Sequence, residues 1–495
     1  MLIHLCKELE KDPPISSYKI FEEFEMLSGH PWEKLSQSAI TNYYSCLYGI
    51  TEKLKPLRIL EIGTAFGMSA ASFLKATIKL DLFVTLDLGI YGDQLGSSKN
   101  NIEYAKKQIH SWCKKNDISC SKVRFFKANT QPNSNGDNEN NGLNVPKWHE
   151  IPELVMLLQQ ENFDLVFVDG KHTEEGLLND LKTFWRFLKP GGVILCDDLH
   201  DPNEFNGHFS WCPDTWKSYH QFLNSEFKNE IGEYFIWNFP RVPPKGKNGL
   251  RPLGLIRKKC NNVKTNPNFS VFYEPNAKMI NKARLVHLAS LGLDLANSKV
   301  LEVGTGVGEH TAFFEKLNCD VLSTDAREEN VKEHLSRYPS RAVKIADLIV
   351  PGSHEKFGKF DIVYCYGTLY HLNDPSLCIK ELSKVCEKYF LIETCVNFVD
   401  NEKINIVEEN KDYLNQSYHG KGCRPGRDWI MNELKKFFPY VYLTKSQPNH
   451  PEFPEEWPVV NCERLSRSVF VASKIPLNKS SLSSELLYKQ KRLDF

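Results

Sequence analysis

The chain has 495 residues, more than one hydrophobic core supports at roughly 150 residues per domain, so two or three domains are expected. Hydrophobic residues at 41%, charged at 25% and aromatic at 12% give the balance of a folded chain and exclude a disordered or fibrous one. With 62 basic and 62 acidic residues the formal charge is zero, which offers no global attraction for nucleic acid or an anionic membrane.

Along the chain, the opening run MLIHLCKELEKDPP is broken by charge before a signal-like apolar stretch develops. No apolar run approaches the roughly 20 residues of a membrane span, so a cytoplasmic protein is expected. The 14 cysteines are scattered without a Cys-x-x-Cys pair, which predicts buried apolar filler and neither zinc ligands nor disulfides. Residues 1–50 carry helical spacing at Ile20, Phe21, Phe24 and Leu27 and are expected to cover the open side of a first domain, 51–260.

That domain begins with a short apolar run ending in an acid and a glycine-rich turn, Leu57 to Gly67, with Glu61, Gly63, Ala65 and Gly67 at the marked positions. The next predicted strand ends at Asp87 and a third at Asn129, after which residues 130–144, rich in Asn, Gly and Ser, read as a mobile insertion. A fourth strand runs into Asp169-Gly170-Lys171-His172, a helix is expected over 174–188, and a fifth strand after Pro190-Gly191-Gly192 ends at Asp197-Asp198. Pro252 to Lys258 reads as the last, edge strand, followed by a linker at 261–275.

The second half, 276–474, repeats this order. Lys299 to Gly308 echoes the first turn, with Glu302, Gly304, Gly306 and Gly308. Strand ends follow at Asp325, Asp347 and Tyr366, then Leu369-Tyr370-His371-Leu372, a helix over 376–387, and Glu393-Thr394 where the first copy has Asp197-Asp198. A basic run, Ser417 to Trp429, places Arg424 and Arg427 before a helix, and residues 475–495 read as a polar tail. Apolar strands alternating with helices predict two Rossmann-like α/β domains, each a mostly parallel sheet covered on both faces.

Strand, glycine turn and helix together let a ligand approach the backbone at the carboxyl edge of the sheet. Dinucleotide folds favour G-x-G-x-x-G, and the acid two residues before each turn is awkward beside a diphosphate but suits a ligand with a cationic amine and sulfonium. Asp87 and Asp325 are placed to accept ribose hydroxyls, and Asn129 and Asp347 to accept the adenine amino group. As a set in both halves, these positions resemble class I methyltransferases that use S-adenosylmethionine (SAM).

The first half resembles the metal-dependent O-methyltransferases of the catechol and macrolide-sugar types. That resemblance implies Mg²⁺ on Asp169, Asp197 and Asp198, with His172 as general base, although Lys171 stands where the sugar enzymes favour an acid. Helix or loop capping by the same residues is the plainer alternative. The second half lacks the acid triad and resembles metal-independent small-molecule methyltransferases, with His371 either a base or a pocket wall and Arg424 and Arg427 suited to an anionic group on the substrate. Neither copy has the Asn/Asp-Pro-Pro-Tyr motif of enzymes that methylate base amino groups. The expectation is a tandem methyltransferase acting on hydroxyls of a small molecule, sugar or secondary metabolite, without nucleic-acid or membrane partners; a SAM-binding sensor or scaffold is the alternative.

Overall fold

The computed structural model describes residues 2–11, 15, 17–24, 42–77, 79–89, 101–131, 145–160, 162–199, 201, 214–241, 249–260, 266–399, 401–459 and 465–494. Leu27 and residues 132–144 of the expected insertion lie outside the described residues. Contacts divide the chain into two compact units, one of Met1–Ile151 with Glu161–Asn262, the other of Pro152–Gln160 with Val263–Phe495.

The first unit is built on seven strands: β1 (Arg58–Ile62), β2 (Leu82–Asp87), β3 (Val123–Lys127), β4 (Phe163–Val168), β5 (Leu188–Cys196), β6 (Ile231–Arg241) and β7 (Gly249–Lys258). They lie in the order β3-β2-β1-β4-β5-β7-β6, the first five parallel and the last two antiparallel. Ile59, Leu60, Leu165, Val166, Val193 and Ile194 are fully buried, as expected of strands covered on both faces. The segment from Pro252, expected at the sheet edge, instead lies inside it: β7 pairs with β5 on one side and β6 on the other. Its proline sits beyond the β5 pairing, which ends at Gly254, so no ladder bond to β5 is lost there.

Ile20, Phe21 and Phe24, in and just after the helix Ser17–Glu23, are buried in the same core as Phe73, Phe83 and Trp237. Phe24 stacks on Trp112 with ring centroids 4.3 Å apart. Burial of this kind stabilises by roughly 2–3 kcal/mol per phenylalanine.

The second unit repeats the frame with β8 (Lys299–Val303), β9 (Asp320–Asp325), β10 (Ala342–Ile345), β11 (Phe360–Tyr366) and β12 (Cys386–Val396) parallel in the order β10-β9-β8-β11-β12. A hairpin follows, β13 (Ile404–Glu408) with β14 (Lys421–Pro425), and then β15 (Tyr440–Thr444), β16 (Ser446–Gln447), β17 (Ser466–Ser473), β18 (Leu482–Ser483) and β19 (Lys491–Arg492). Strands β17, β15 and β18 extend the main sheet antiparallel beyond β12. The expected polar tail is thus part of the unit: Leu482 and Gln490 are buried, and β19 pairs with β16. Its buried glutamine is held by the backbone, Gln490 Nε2 donating to the Thr444 carbonyl at 2.5 Å.

Both sheets reverse direction of strand order between their first and fourth strands, the place where open α/β sheets leave a crevice at the carboxyl ends. Among the described residues no helix is long and apolar enough to cross a membrane. Among the described residues no cysteine is in a disulfide, and all but Cys120, Cys260 and Cys319 are buried.

Candidate functional site

The turn after the first strand has the same backbone in both units. Gly63, Ala65 and Gly67 have φ of 94°, 42° and 83°, and Gly304, Gly306 and Gly308 have 64°, 55° and 83°. This left-handed path turns one amide toward the next strand, so Ala65 N donates to Asp87 Oδ2 and Gly306 N to Asp325 Oδ2, each at 2.8 Å. A side chain at Gly63 is impossible, because its Cβ would lie 1.9 Å from the Asp169 carbonyl oxygen. Asp87 also accepts from Gly89 N, and Asp325 from Arg327 N and Asn330 Nδ2. Burial raises the pKa of both carboxyls against these hydrogen bonds.

The acids two residues before each turn are likewise matched. Glu61 accepts from Ser69 Oγ and Thr85 Oγ1, both at 2.6 Å; Glu302 accepts from Thr311 Oγ1 at 2.6 Å and Ser323 Oγ at 2.7 Å. Each carboxyl ties the helix after the turn to the neighbouring strand. Glu61 is fully buried, and desolvation pushes it up to about 8 despite its two hydroxyl donors. Both Glu61 oxygens are used internally, so it braces the turn; Glu302, which lines a cavity, takes both hydroxyls on Oε2. Asn129 Oδ1 accepts from Gln131 N at 2.9 Å, whereas Asp347 lines the cavity of the second unit and meets His419 Nε2 at 2.7 Å.

That cavity, about 430 Å³, reaches from Gly304, Gly306, Asp325 and Asp347 to Tyr370 and His371. His371 Nδ1 lies 2.5 Å from Glu409 Oε2, and Glu409 also accepts from Ser417 N at 2.8 Å. Burial holds His371 below its ordinary pKa although Glu409 opposes the shift, and the hydrogen bond from the imidazole in turn helps to lower Glu409 against its own burial. The result is a neutral imidazole whose Nδ1–H is fixed on a carboxylate, leaving Nε2 as the acceptor nitrogen. Sequence spacing did not expose Glu409, which lies 38 residues downstream at the end of β13.

The two arginines part company. Arg424 lines the cavity, with Nη1 donating to the Tyr370 and Cys423 carbonyls and Nη2 3.6 Å from Glu409. Arg427 is fully buried elsewhere, donating to Leu487 O and Gln490 Oε1 and stacked 3.8 Å over Trp457. It holds the C-terminal segment and, unlike Arg424, does not line the cavity.

In the first unit, Asp169, His172 and Asp198 offer ligand atoms within 4.8 Å of one another. His172 Nε2 is 3.1 Å from Asp169 Oδ1 and 3.6 Å from Asp198 Oδ2. Burial lowers the His172 pKa, but the hydrogen bond and charge of Asp169, then the charges of Asp198 and Asp197, raise it to about 9. An imidazole so placed holds its proton while the carboxylates have no cation between them, and a cation bound there would oppose that shift. Asp197 stands outside the cluster, its Oδ1 accepting from Asp198 N at 2.8 Å. Asp198 sits in the left-handed region, with φ of 53°. Thr173, and not His172, caps the helix Glu174–Trp185, accepting from Gly176 N.

Two family models, each described as a methyltransferase domain, match residues 60–199 and 301–389. A ubiquinone biosynthesis O-methyltransferase of Xanthomonas oryzae pv. oryzae is 31% identical over 113 residues, 21% of this chain. The chain spans less than half the length, 45%, of the curated relatives it matches. Similar solved structures include an O-methyltransferase from Bacillus cereus in complex with SAH, 17% identical, covering 51% of this chain and 96% of that one with a TM-score of 0.32. Another is TomG from Streptomyces achromogenes in complex with SAM, 14% identical, covering 49% and 90% with a TM-score of 0.30.

Proposed function

We propose that this chain, two class I methyltransferase domains in tandem, transfers methyl groups from SAM to hydroxyls of small molecules, sugars or secondary metabolites, each unit holding its own cofactor. The observation that carries this reading is the cradle built twice: a left-handed turn whose amide is fixed by the acid ending the next strand, at 2.8 Å in both units. Bound SAM supplies an electrophilic methyl on a sulfonium. The chain must then orient an acceptor oxygen and take its proton.

In the second unit, His371 Nε2 is the base, and Glu409 sets its tautomer and stabilises the imidazolium formed when the hydroxyl proton arrives. No metal is needed for that arrangement. In the first unit the donor set fits a divalent ion. Two carboxylates suit Mg²⁺ and the imidazole extends the choice to Mn²⁺, with Asp169, Asp198 and His172 as ligands. The ion would supply a Lewis acid that makes an acceptor hydroxyl more acidic.

The test is methyl transfer from SAM by the full chain to a panel of glycosides, catechols and hydroxycarboxylates, with and without EDTA, read by mass spectrometry. One set of methylated products should survive chelation and a second should not. If no panel member is methylated under either condition, the catalytic reading fails.

A further inference from the structure

The repeated frame allows the acceptor ends of the two units to be compared residue by residue. Register aligns Glu61 beside Phe167 and Glu302 beside Tyr364, and pairs Val168 with Cys196 and Cys365 with Ile392. One residue on, Tyr366 stands for Asp169 and Glu393 for Asp197. The first unit gathers carboxylates at this edge, whereas the second supplies a cation from its own chain. Arg284, from the helix Pro275–Ser290, places Nη2 2.7 Å from Glu393 Oε2. Its guanidinium lies across Gly367, where a Cβ would be 3.3 Å from both Nη1 and Nη2. Arg467 of β17 approaches the other Glu393 oxygen at 3.3 Å and Glu452 Oε2 at 2.6 Å. Two guanidinium groups face two carboxylates, so the cluster is balanced in charge.

This balanced cluster is short of hydrogen bonds. Arg284 Nη2 and Glu393 Oε2 are met by each other across their ion pair, whereas among the described residues the Tyr366 hydroxyl and Arg284 Nε have no hydrogen-bond partner. Exposure is 4% at Tyr366, 0% at Glu393 and 6% at Arg284, and Tyr366 and Arg284 line the cavity. Unmet polar groups at such depth cost about 1–3 kcal/mol each, so the set calls for a ligand. A ligand hydroxyl fits its chemistry, because it can accept from the Arg284 guanidinium and donate to the Tyr366 hydroxyl oxygen. A ligand carboxylate or phosphate would have to lie against Glu393. The cluster also adjoins His371, since the Arg467 guanidinium lies 4.9 Å over the Tyr370 ring, whose centroid is 4.0 Å from that of His371.

We propose that Arg284 and Tyr366, with Glu393 holding the guanidinium from behind, form the acceptor-recognition site of the second unit, and that it takes a hydroxyl of an uncharged polyol while a second hydroxyl of the same molecule faces His371. The ion pair Arg284–Glu393 then does with an internal cation what a divalent ion would do in the first unit. The assignment rests on the methyltransferase reading and selects neutral polyhydroxylated acceptors over anionic ones.

The experiment is saturation-transfer NMR on the full chain with SAH and EDTA, using methyl β-D-glucoside and catechol as neutral probes and methyl β-D-glucuronide as the anionic one. Arg284→Met strips a buried carboxylate of its counter-ion and risks unfolding the unit, so Tyr366→Phe, which removes one oxygen, is the main variant. At least one neutral probe should show transfer exceeding that of the glucuronide, and Tyr366→Phe should weaken its affinity about fivefold or more with SAH affinity unchanged. Absence of transfer to both neutral probes, stronger binding of the glucuronide, or transfer unaltered in Tyr366→Phe would each overturn the proposal. Failure of the wild-type chain to bind SAH, measured in the same samples by calorimetry, would instead remove the methyltransferase reading beneath it.

Discussion

Replacing Glu409 by Gln removes a charge from the His371 pair while keeping the shape of the side chain. In the wild type the carboxylate accepts from His371 Nδ1 at 2.5 Å and is 4% exposed. When the imidazole gains a proton, opposite charges about 4 Å apart at an effective dielectric near 20 interact by about 4 kcal/mol. The amide retains part of this through its dipole, so a loss of about 3 kcal/mol, or roughly 10²-fold in kcat, is expected. The pH profile supplies the sharper reading. Burial already lowers the His371 pKa and Glu409 raises it, with Arg467 and Arg424 nearby adding to the lowering. Without the carboxylate charge the pKa falls further, so the acidic limb of the rate should move to lower pH even as the plateau drops. The assay is kcat against pH for the acceptor methylated in EDTA, with SAH affinity as a control. An unchanged plateau, or a limb that stays in place or moves to higher pH, would refute the pair as a catalytic unit.

Three further outcomes follow from the geometry. Mn²⁺ titrated calorimetrically should bind the wild type and the Asp197→Asn variant alike but be lost in His172→Ala and Asp198→Asn; equal loss in Asp197→Asn would restore the acid triad. Arg427→Ala should destabilise the second unit by about 3 kcal/mol, by loss of two charged hydrogen bonds and the Trp457 contact, and leave KM unaltered for acceptors turned over in EDTA. A changed KM with unaltered stability would return Arg427 to the substrate. Glu61 has a folded-state pKa near 8 against an ordinary value of 4.5, so between these values the folded state holds a proton that the unfolded chain has released. Stability of the first unit should therefore fall as pH rises through that window, by roughly 1.4 kcal/mol per unit, and Glu61→Gln should lack this component. Identical melting-temperature slopes for the two proteins would contradict it.

The two sheets and the duplicated turns were legible because buried parallel strands read as apolar runs and because left-handed turns demand glycine or a tolerated small residue such as Ala65. What sequence order could not supply was side-chain direction. Arg424 and Arg427 are three residues apart, yet one ends a strand at the cavity and the other begins a helix whose first residue faces the C-terminal segment. Asp197 and Asp198 are adjacent, yet only the second offers an oxygen within 4.8 Å of the Asp169 and His172 ligand atoms. Glu409 and Arg284 reach the acceptor end from a hairpin and from a helix preceding the domain's first strand, at separations no motif spacing encodes. The Pro252 strand was misplaced for a related reason: apolar alternation identifies a strand but not which neighbours it acquires.

The central claim is that the chain holds two independent cofactor sites, and calorimetric titration of the full chain with SAH tests it most directly. Two equivalents should bind per chain, Asp87→Ala and Asp325→Ala should each retain one, and the double variant none. One equivalent or none in the wild type, or two-site binding undisturbed by either substitution, would contradict the account.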